Sequence, residues 1–222
     1  IVLYTLAGVV DPAQGWGFKR DTFECQKVLK QYGRETWFNL GDRDLATHIY
    51  RTHQLREGKT LSEITQHLVR NFGLGIKLLP ATNNLLETYV DTDRGRMHFE
   101  EYMVKRRTIP KVHQVSFEGA IAAKPSDRVI ESINKADGVI VSPSNPIVSI
   151  GAILSVQGIR SALQKTKAKV VGISPIVGGR TLKGPADKLM RALGMKSTAL
   201  GVAECYRDFM DALIIDRQDK EH

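Results

Sequence analysis

The stretch Gly138-Val139-Ile140-Val141-Ser142-Pro143-Ser144-Asn145-Pro146 decides the fold of this chain. Its first four residues are apolar without alternation, which is typical of a strand covered on both faces in a parallel sheet. A second run, Lys169–Ile173, also ends in a Ser-Pro pair, and a helical pattern at 159–163 connects the two as one strand–helix–strand unit. We therefore predict an α/β fold: Rossmann-like, with a mostly parallel sheet, helices on both faces and a small helical insertion subdomain.

The insertion is predicted from the helical texture of residues 15–73. Its clearest helix begins at Thr60, which has capping-box spacing with Glu63, and an apolar stripe of helical period follows up to Gly73. No alternating strand pattern occurs in this part of the chain. We expect helices after Asp21 and near Asp44 as well.

Texture also divides the whole chain. Residues 1–14 are interpreted as the end of an N-terminal α/β portion, 15–73 as the helical insertion subdomain, and 74–222 as the Rossmann-like core. Within the core, residues 76–79, 88–90 and 112–117 are expected to be strands, before the two runs that end in Ser-Pro and a final strand near Ile214.

Bulk composition narrows the class of protein. The 222 residues are 42% hydrophobic and 25% charged, which is ordinary for a globular domain, and no apolar stretch is long enough to suggest a membrane span. The two cysteines have no zinc-type spacing, which fits a reduced cytoplasmic setting. The chain starts at Ile1 without a Met or a signal peptide, so we expect its true start to lie upstream and its end to be incomplete.

A net charge of +8 indicates either nucleic acid or an anionic small substrate as ligand. The basic residues are spread along the chain, and no aromatic residues interleave with the alternating lysines of 165–169, as a single-strand binding surface would need. We expect an anionic small substrate and no nucleic acid.

The first Ser-Pro turn is a candidate phosphate site, because ligands of open α/β sheets bind beyond the carboxyl ends of the strands. The hydroxyls of Ser142 and Ser144 and the amide of Asn145 supply uncharged donors, and Pro146 is suited to open a helix whose N–H groups face the same space. The alternative is a polar turn in which Asn145 only caps that helix.

The second Ser-Pro turn starts at Ser174 and continues to Gly178-Gly179-Arg180 and Lys183. Paired glycines allow backbone N–H groups to approach an anion closely, with two cations beside them. The alternative is a flexible loop with solvated cations. Two such turns on neighbouring strands favour a diphosphate bound between them.

The third candidate site is Asp42-Arg43-Asp44, followed by His48 one helical turn later. Carboxylates can hold Mg²⁺ or accept a proton from an attacking hydroxyl, and an arginine can bind phosphate. Alternatively, Asp44 only caps the following helix and Arg43 pairs with Asp42 on the surface. Trp16 is either a ring-stacking residue or a plug between subregions.

Several stretches match a known family in order and over nearly the whole chain. They are Gly15-Trp16-Gly17 with Asp21-Thr22-Phe23, Leu40-Gly41-Asp42-Arg43-Asp44 with Ala46-Thr47-His48, Ser142-Pro143-Ser144-Asn145-Pro146 with Ser149-Ile150-Gly151, Ser174-Pro175-Ile176 with Lys183-Gly184-Pro185-Ala186, and Gly201-Val202-Ala203-Glu204 with Tyr206 and Asp208. On these motifs the chain resembles the 2-phospho-L-lactate transferases of deazaflavin coenzyme biosynthesis.

The resemblance implies a reaction. A 2-phospholactyl or phosphoenolpyruvyl-type group passes from a guanosine diphosphate ester to the ribityl hydroxyl of 8-hydroxy-5-deazariboflavin, and GMP is released. It also implies a Mg²⁺ requirement and a homodimer. We place the guanosine diphosphate part across the Ser142 and Ser174 turns, with Arg43 neutralising charge, Asp42 or Asp44 orienting the hydroxyl or metal, and Trp16 and His48 as weaker candidates for the deazaflavin pocket.

The family's glycine-rich phosphate loop and early acidic residues have no counterpart in these residues. We therefore expect the main metal ligands to lie upstream of Ile1 and turnover by this chain to be weak or absent. Two other interpretations remain: a non-catalytic regulator of the same fold that binds nucleotide sugars, and an RNA-binding module suggested only by the net charge.

Overall fold

The fold is described from a computed structural model that covers residues 1–220. The chain divides into two compact units, Ile1–Pro80 and a second unit that begins at Ala81. The boundaries expected after residues 14 and 73 stay predictions.

The first unit is helical, as its sequence predicts. Its helices are α1 (Val2–Leu6), α2 (Glu24–Gln31), α3 (Asp42–Arg56) and α4 (Leu61–Asn71). The capping box predicted at α4 is confirmed: the Thr60 side chain accepts from the Glu63 backbone N–H and the Glu63 carboxylate accepts from the Thr60 N–H. Ile64 and Val69 of this helix are buried, which is the core contribution that the apolar stripe predicts.

The strand predicted at residues 76–79 is wrong. This segment has no regular secondary structure, and Ile76 is exposed. Gly75 precedes it and Pro80, which lacks an N–H, ends it. The described part of the first unit has no strand for it to pair with, only the isolated bridge between Val10 and Phe18. An apolar run without a pairing neighbour does not become a strand.

The second unit contains all the named strands and five α-helices. The strands are β1 (Glu87–Thr92), β2 (Gly95–His98), β3 (Val112–Glu118), β4 (Gly138–Val141), β5 (Lys169–Ile173), β6 (Ile176–Val177), β7 (Arg180–Thr181) and β8 (Ala212–Ile214). The α-helices are α5 (Val129–Asn134), α6 (Gly151–Ser155), α7 (Ile159–Lys165), α8 (Ala186–Ala192) and α9 (Ala199–Tyr206). Two π-helices, Glu101–Lys105 and Pro146–Ile150, and a 3₁₀ helix, Arg217–Asp219, complete it.

The central element is the parallel sheet, in which β5 pairs with β4 on one side and β8 on the other. On one face Val139 lies opposite Val170, and Gly172 lies opposite Leu213. This face packs in a core to which helices α5 to α9 all contribute, with Ile159 of α7 among the buried residues. The predicted α/β fold class, with a parallel sheet and helices, is confirmed.

The other face of this sheet is exposed. Ile140 of β4 is 71% exposed and Ile214 of β8 is 55% exposed. The expectation that the 138–141 run is covered on both faces is therefore wrong, because successive residues of β4 alternate between half-buried and exposed positions.

A separate antiparallel sheet has the order β2-β1-β3. Its buried face forms a second apolar cluster, in which Val90, Met97 and Tyr102 are joined by Val148 and Leu189. The sequence predicted two of its strands without predicting that they pair apart from the parallel sheet. Through Val148, this cluster reaches the π-helix that follows the first Ser-Pro turn.

In the described part of the chain, no single helix has the length and apolar character to span a membrane. The two consecutive helical segments Pro146–Ser155 and Ile159–Lys165 are together long and apolar enough, but they are bent by 88° relative to each other.

Candidate functional site

A cleft of about 570 Å³ lies in the second unit at the carboxyl ends of β4 and β5. Both Ser-Pro turns line it, through Pro143, Ser144 and Asn145 from one and Ser174 and Pro175 from the other. The two turns thus meet at one cleft, as their positions at the ends of parallel strands require.

The predicted site residues of these turns do not all reach the cleft. Ser144, Asn145 and Ser174 line it, whereas Ser142 is exposed outside it and Pro146 is buried at the start of the π-helix.

Asn145 both caps a helix and keeps a donor for the cleft. Its Oδ1 accepts from the backbone N–H groups of Ile147 at 2.9 Å and Val148 at 3.3 Å. The N–H groups of Ser149 and Ile150 bond to the Asn145 carbonyl oxygen, so the helix end offers none of these four to a ligand. The Asn145 Nδ2 group is buried and has no hydrogen-bond partner among the described residues, which is a costly arrangement unless a ligand accepts from it.

The serines of the cleft differ in what their hydroxyls do. Those of Ser144 and Ser149 bond to none of residues 1–220. The Ser174 hydroxyl is occupied, since it donates to the Ile176 carbonyl at 3.0 Å and accepts from the Ile176 N–H at 3.1 Å. Ser174 therefore shapes the turn, and the available hydroxyls are those of Ser144 and Ser149. Sequence reasoning did not select Ser149, although its position four residues after Asn145 places it on the same side of a helix.

The glycine pair forms a hairpin turn. Gly178 (φ +56°) and Gly179 (φ +75°) connect β6 to β7, and positive φ at both central residues is what a two-residue hairpin requires. The Gly178 N–H donates to Asp219 Oδ1 at 3.0 Å, and neither glycine lines the cleft. The pair therefore turns the chain and sends Lys183 back to the cleft wall.

Part of the cleft lining is apolar. Phe99 and Met103 line the cleft from the start and the middle of the helical segment that contains the π-helix Glu101–Lys105, and Val148 and Leu182 are further apolar lining residues. Sequence reasoning missed Phe99 and Met103, because nothing in the spacing of residues 99–103 points to the Ser-Pro turns.

In the first unit, two helices cap each other with aspartates. Asp42 opens α3, but its carboxylate accepts from the Thr22 hydroxyl at 2.6 Å and from the Glu24 and Cys25 N–H groups at 3.0 Å, which start α2. Asp21, which precedes α2, accepts from the Arg43 N–H at 2.9 Å at the start of α3. These bonds, led by that of Thr22, hold the pKa of Asp42 below its ordinary value.

Asp21 also accepts from the Asp44 N–H at 3.3 Å, so Asp44 is not the cap of α3. Gly41 allows the carboxylate of Asp21 to approach, because a Cβ at Gly41 would overlap it. With Asp42 bonded to α2, the surface pair between Asp42 and Arg43 does not form.

Asp44 and Arg43 keep free groups. Asp44 Oδ1 accepts from the Tyr4 hydroxyl at 2.7 Å and lies 3.7 Å from His48 Nε2, while Oδ2 has no partner among residues 1–220. His48 Nδ1 lies 2.7 Å from a guanidinium nitrogen of Arg51. Burial and the Arg51 charge lower the pKa of His48, so this histidine is neutral at pH 7. The Arg43 guanidinium is exposed and forms no ion pair within the described chain.

Trp16 stands in a loop between Gly15 and Gly17, both with positive φ. It is 40% exposed and contacts no other ring in the described chain. Within residues 1–220 no three His, Cys, Asp or Glu side chains are grouped so that they could hold a metal ion.

An α/β unit with a cleft of unpaired donors at the carboxyl ends of its parallel strands has the arrangement in which open α/β folds bind their ligands. The profile of the family described as 2-phospho-L-lactate transferase CofD matches residues 2–222. The chain therefore belongs to the 2-phospho-L-lactate transferase family.

Named relatives agree with this assignment. The 2-phospho-L-lactate transferase of Methanosarcina mazei is 40% identical over 99% of this chain and 72% of its own length. The phosphoenolpyruvate transferase of Streptomyces coelicolor is 43% identical over 99% of this chain and 71% of its own length. That of Mycolicibacterium smegmatis is 42% identical over 92% of this chain and 64% of its own length. The chain spans only part of each relative.

The fold is also that of a solved structure. A UPF0052-family protein of Bacillus halodurans superposes with a TM-score of 0.58 at 16% identity, covering 96% of this chain and 63% of that one.

Proposed function

We propose that the protein transfers a 2-phospholactyl or phosphoenolpyruvyl-type group from a guanosine diphosphate ester to the ribityl hydroxyl of 8-hydroxy-5-deazariboflavin. The hydroxyl oxygen forms a bond to the phosphorus that carries the acid, the bond from that phosphorus to the GMP phosphate breaks, and GMP leaves with the electron pair. The hydroxyl proton passes to a base. Catalysis of this kind depends on positioning and charge neutralisation.

The observation that carries the proposal is the cleft, read together with family membership. The cleft offers three uncharged donors, which are the unpaired Asn145 Nδ2 group and the hydroxyls of Ser144 and Ser149. The cationic side chain of Lys183 also lines the cleft. This set suits the diphosphate of the donor. Relatives named for phospholactate and for phosphoenolpyruvate match at similar identity, so the acid of the donor is left open between them.

For the reacting groups we propose Arg43 and Asp44. Arg43 has an unpaired guanidinium to neutralise phosphate charge, and Asp44 has a carboxylate oxygen free to accept the proton. Asp42 is assigned the structural role of capping α2, since both of its oxygens already accept bonds. Trp16 and His48 remain proposals for the deazaflavin pocket. The Mg²⁺ requirement, the homodimer and the cytoplasmic location also remain proposals, and no step is assigned to the metal.

The test is GMP release, measured by chromatography, from full-length protein supplied with the deazaflavin alcohol and Mg²⁺. A phospholactyl donor is compared with a phosphoenolpyruvyl donor. We expect GMP only when the deazaflavin is present, and we expect Arg43→Ala to abolish it. The matched control is Arg56→Ala, which removes the same charge from the exposed far end of α3 and should leave the rate unchanged.

Folded protein that releases no GMP from any acid donor would contradict the proposal. Binding of a nucleotide sugar without turnover by that protein would then favour the regulator of the same fold.

A further inference from the structure

The cleft lining contains two kinds of group. The hydroxyls of Ser144 and Ser149 and the Nδ2 group of Asn145 have no hydrogen-bond partner among residues 1–220, and Lys183 lines the same cleft. The apolar part of the lining includes Phe99 and Met103. A ligand that fits both parts has a charged, oxygen-rich portion and a flat apolar portion in one molecule.

Phe99, in the apolar part of the lining, packs against buried residues but is not itself fully buried. Phe99 packs against the buried cluster of the antiparallel sheet and lies 6.1 Å, between ring centroids, from the buried Tyr102. Its own side chain is only partly buried. Proteins commonly stack a nucleobase on an aromatic ring that is held in place by packing and remains partly exposed.

Met103 lines the same cleft as Phe99. It lies in the middle of the π-helix Glu101–Lys105, and Val148 and Ser149 of the other π-helix, Pro146–Ile150, also line this cleft. π-Turns are uncommon and occur frequently at functional sites. Both π-helices of the described chain contribute side chains to this one cleft.

The geometry points to Phe99 and Met103 as the surface on which the base of the donor nucleotide stacks, with its phosphates held by Ser144, Asn145 and Ser149. This inference rests on the proposed function and specifies its donor site. In the donor, a base and a diphosphate are joined through a ribose. The apolar part of the cleft lining fits the base, and the hydrogen-bonding part fits the diphosphate.

The experiment compares two ligands, GDP and inorganic pyrophosphate, by calorimetric titration. Phe99→Leu keeps apolar volume and removes the flat ring, and Met103→Ala shortens the neighbouring side chain. We expect each to weaken GDP binding, Phe99→Leu by about tenfold, as loss of base stacking does, while pyrophosphate binding changes less than about twofold. The matched control is Phe117→Leu, the same change at a partly buried β3 residue outside the cleft, and it should leave both affinities unchanged.

The outcomes separate the two proposals. Wild-type protein that does not bind GDP would overturn the proposed donor and this inference together. GDP binding that Phe99→Leu and Met103→Ala leave unchanged would overturn only the stacking surface. Equal loss of GDP and pyrophosphate binding would also overturn it, because a distorted cleft explains that result. Thermal unfolding of each variant shows whether it is folded, and Met103→Ala carries the test if Phe99→Leu is not.

Discussion

Replacing Gly41 by alanine tests the reciprocal caps of the first unit. The backbone at Gly41 has φ −72° and ψ 159°, which is extended and suits any residue. The three atoms nearest to the new Cβ all belong to Asp21, whose carboxylate occupies the place of that Cβ. The substitution therefore displaces Asp21 from the start of α3, where it accepts from the N–H groups of Arg43 and Asp44.

The magnitude follows from the bonds that are lost. Removal of a carboxylate cap costs about 0.5–2 kcal/mol. Since Asp21 holds two N–H groups of α3, we expect a loss of about 1–2 kcal/mol in the free energy of unfolding. For a chain of this size that lowers the melting temperature by roughly 2–8 °C. Urea unfolding followed by helical circular dichroism measures it.

A second background makes the test specific. In an Asp21→Gly protein both the carboxylate and its Cβ are gone, so Gly41→Ala meets no obstacle. There we expect a change of less than about 0.5 kcal/mol, because the gain from restricting the unfolded chain is offset by the preference for glycine over alanine at the N-cap of α3. The cost of the substitution thus nearly disappears in the second background. Equal destabilisation in both would refute the argument, because the cost would then have a source other than Asp21.

Three further predictions concern single side chains. Since bonding lowers the pKa of Asp42 in the folded protein, its contribution to stability is present above the unfolded pKa of about 4 and is lost as the pH falls through the folded pKa. The stability difference between wild type and Asp42→Asn should therefore close below about pH 4 in urea titrations, and a constant difference down to pH 2 would contradict this. Asn145→Asp keeps the oxygen that caps Ile147 and Val148 but replaces the unpaired donor by a negative charge. GDP binding should therefore fall about tenfold or more, while the melting temperature stays unchanged. A large shift of the melting temperature would show that the amide has a structural role. Thr60→Ala removes one side of the capping box and should cost about 1 kcal/mol in urea unfolding, with no effect on GDP binding.

The sequence predicted those parts of the fold that depend on local pattern. Helix α4 follows from a capping box and an apolar stripe, and β5 follows from an apolar run that ends in Ser-Pro. Exposure depends on what lies on either side of a strand, which no run of residues encodes. Ile140 was therefore expected to be covered although it lies on the open face of an edge strand.

The candidate site was predicted in part for the same reason. Asn145 and Ser144 reach the cleft because their position after a parallel strand determines the edge they occupy. Phe99 directly follows strand β2 of the other sheet, at a sequence distance that pattern reasoning does not bridge. The roles of Asp21 and Asp42 were not predictable from local pattern. Asp42, at the start of α3, caps α2, and Asp21, just before α2, caps α3.

The two π-helices also limit how the chain can change length. A π-turn holds one more residue than an α-turn, so each is a place where a single residue can be removed while the helix continues as an α-helix. Such a deletion between Phe99 and Met103 changes their spacing from four residues to three, and so alters the arrangement of these two lining residues of the cleft. Insertions and deletions should therefore be tolerated poorly at these two turns and more readily at the exposed Gly33 or Gly58 that follow α2 and α3.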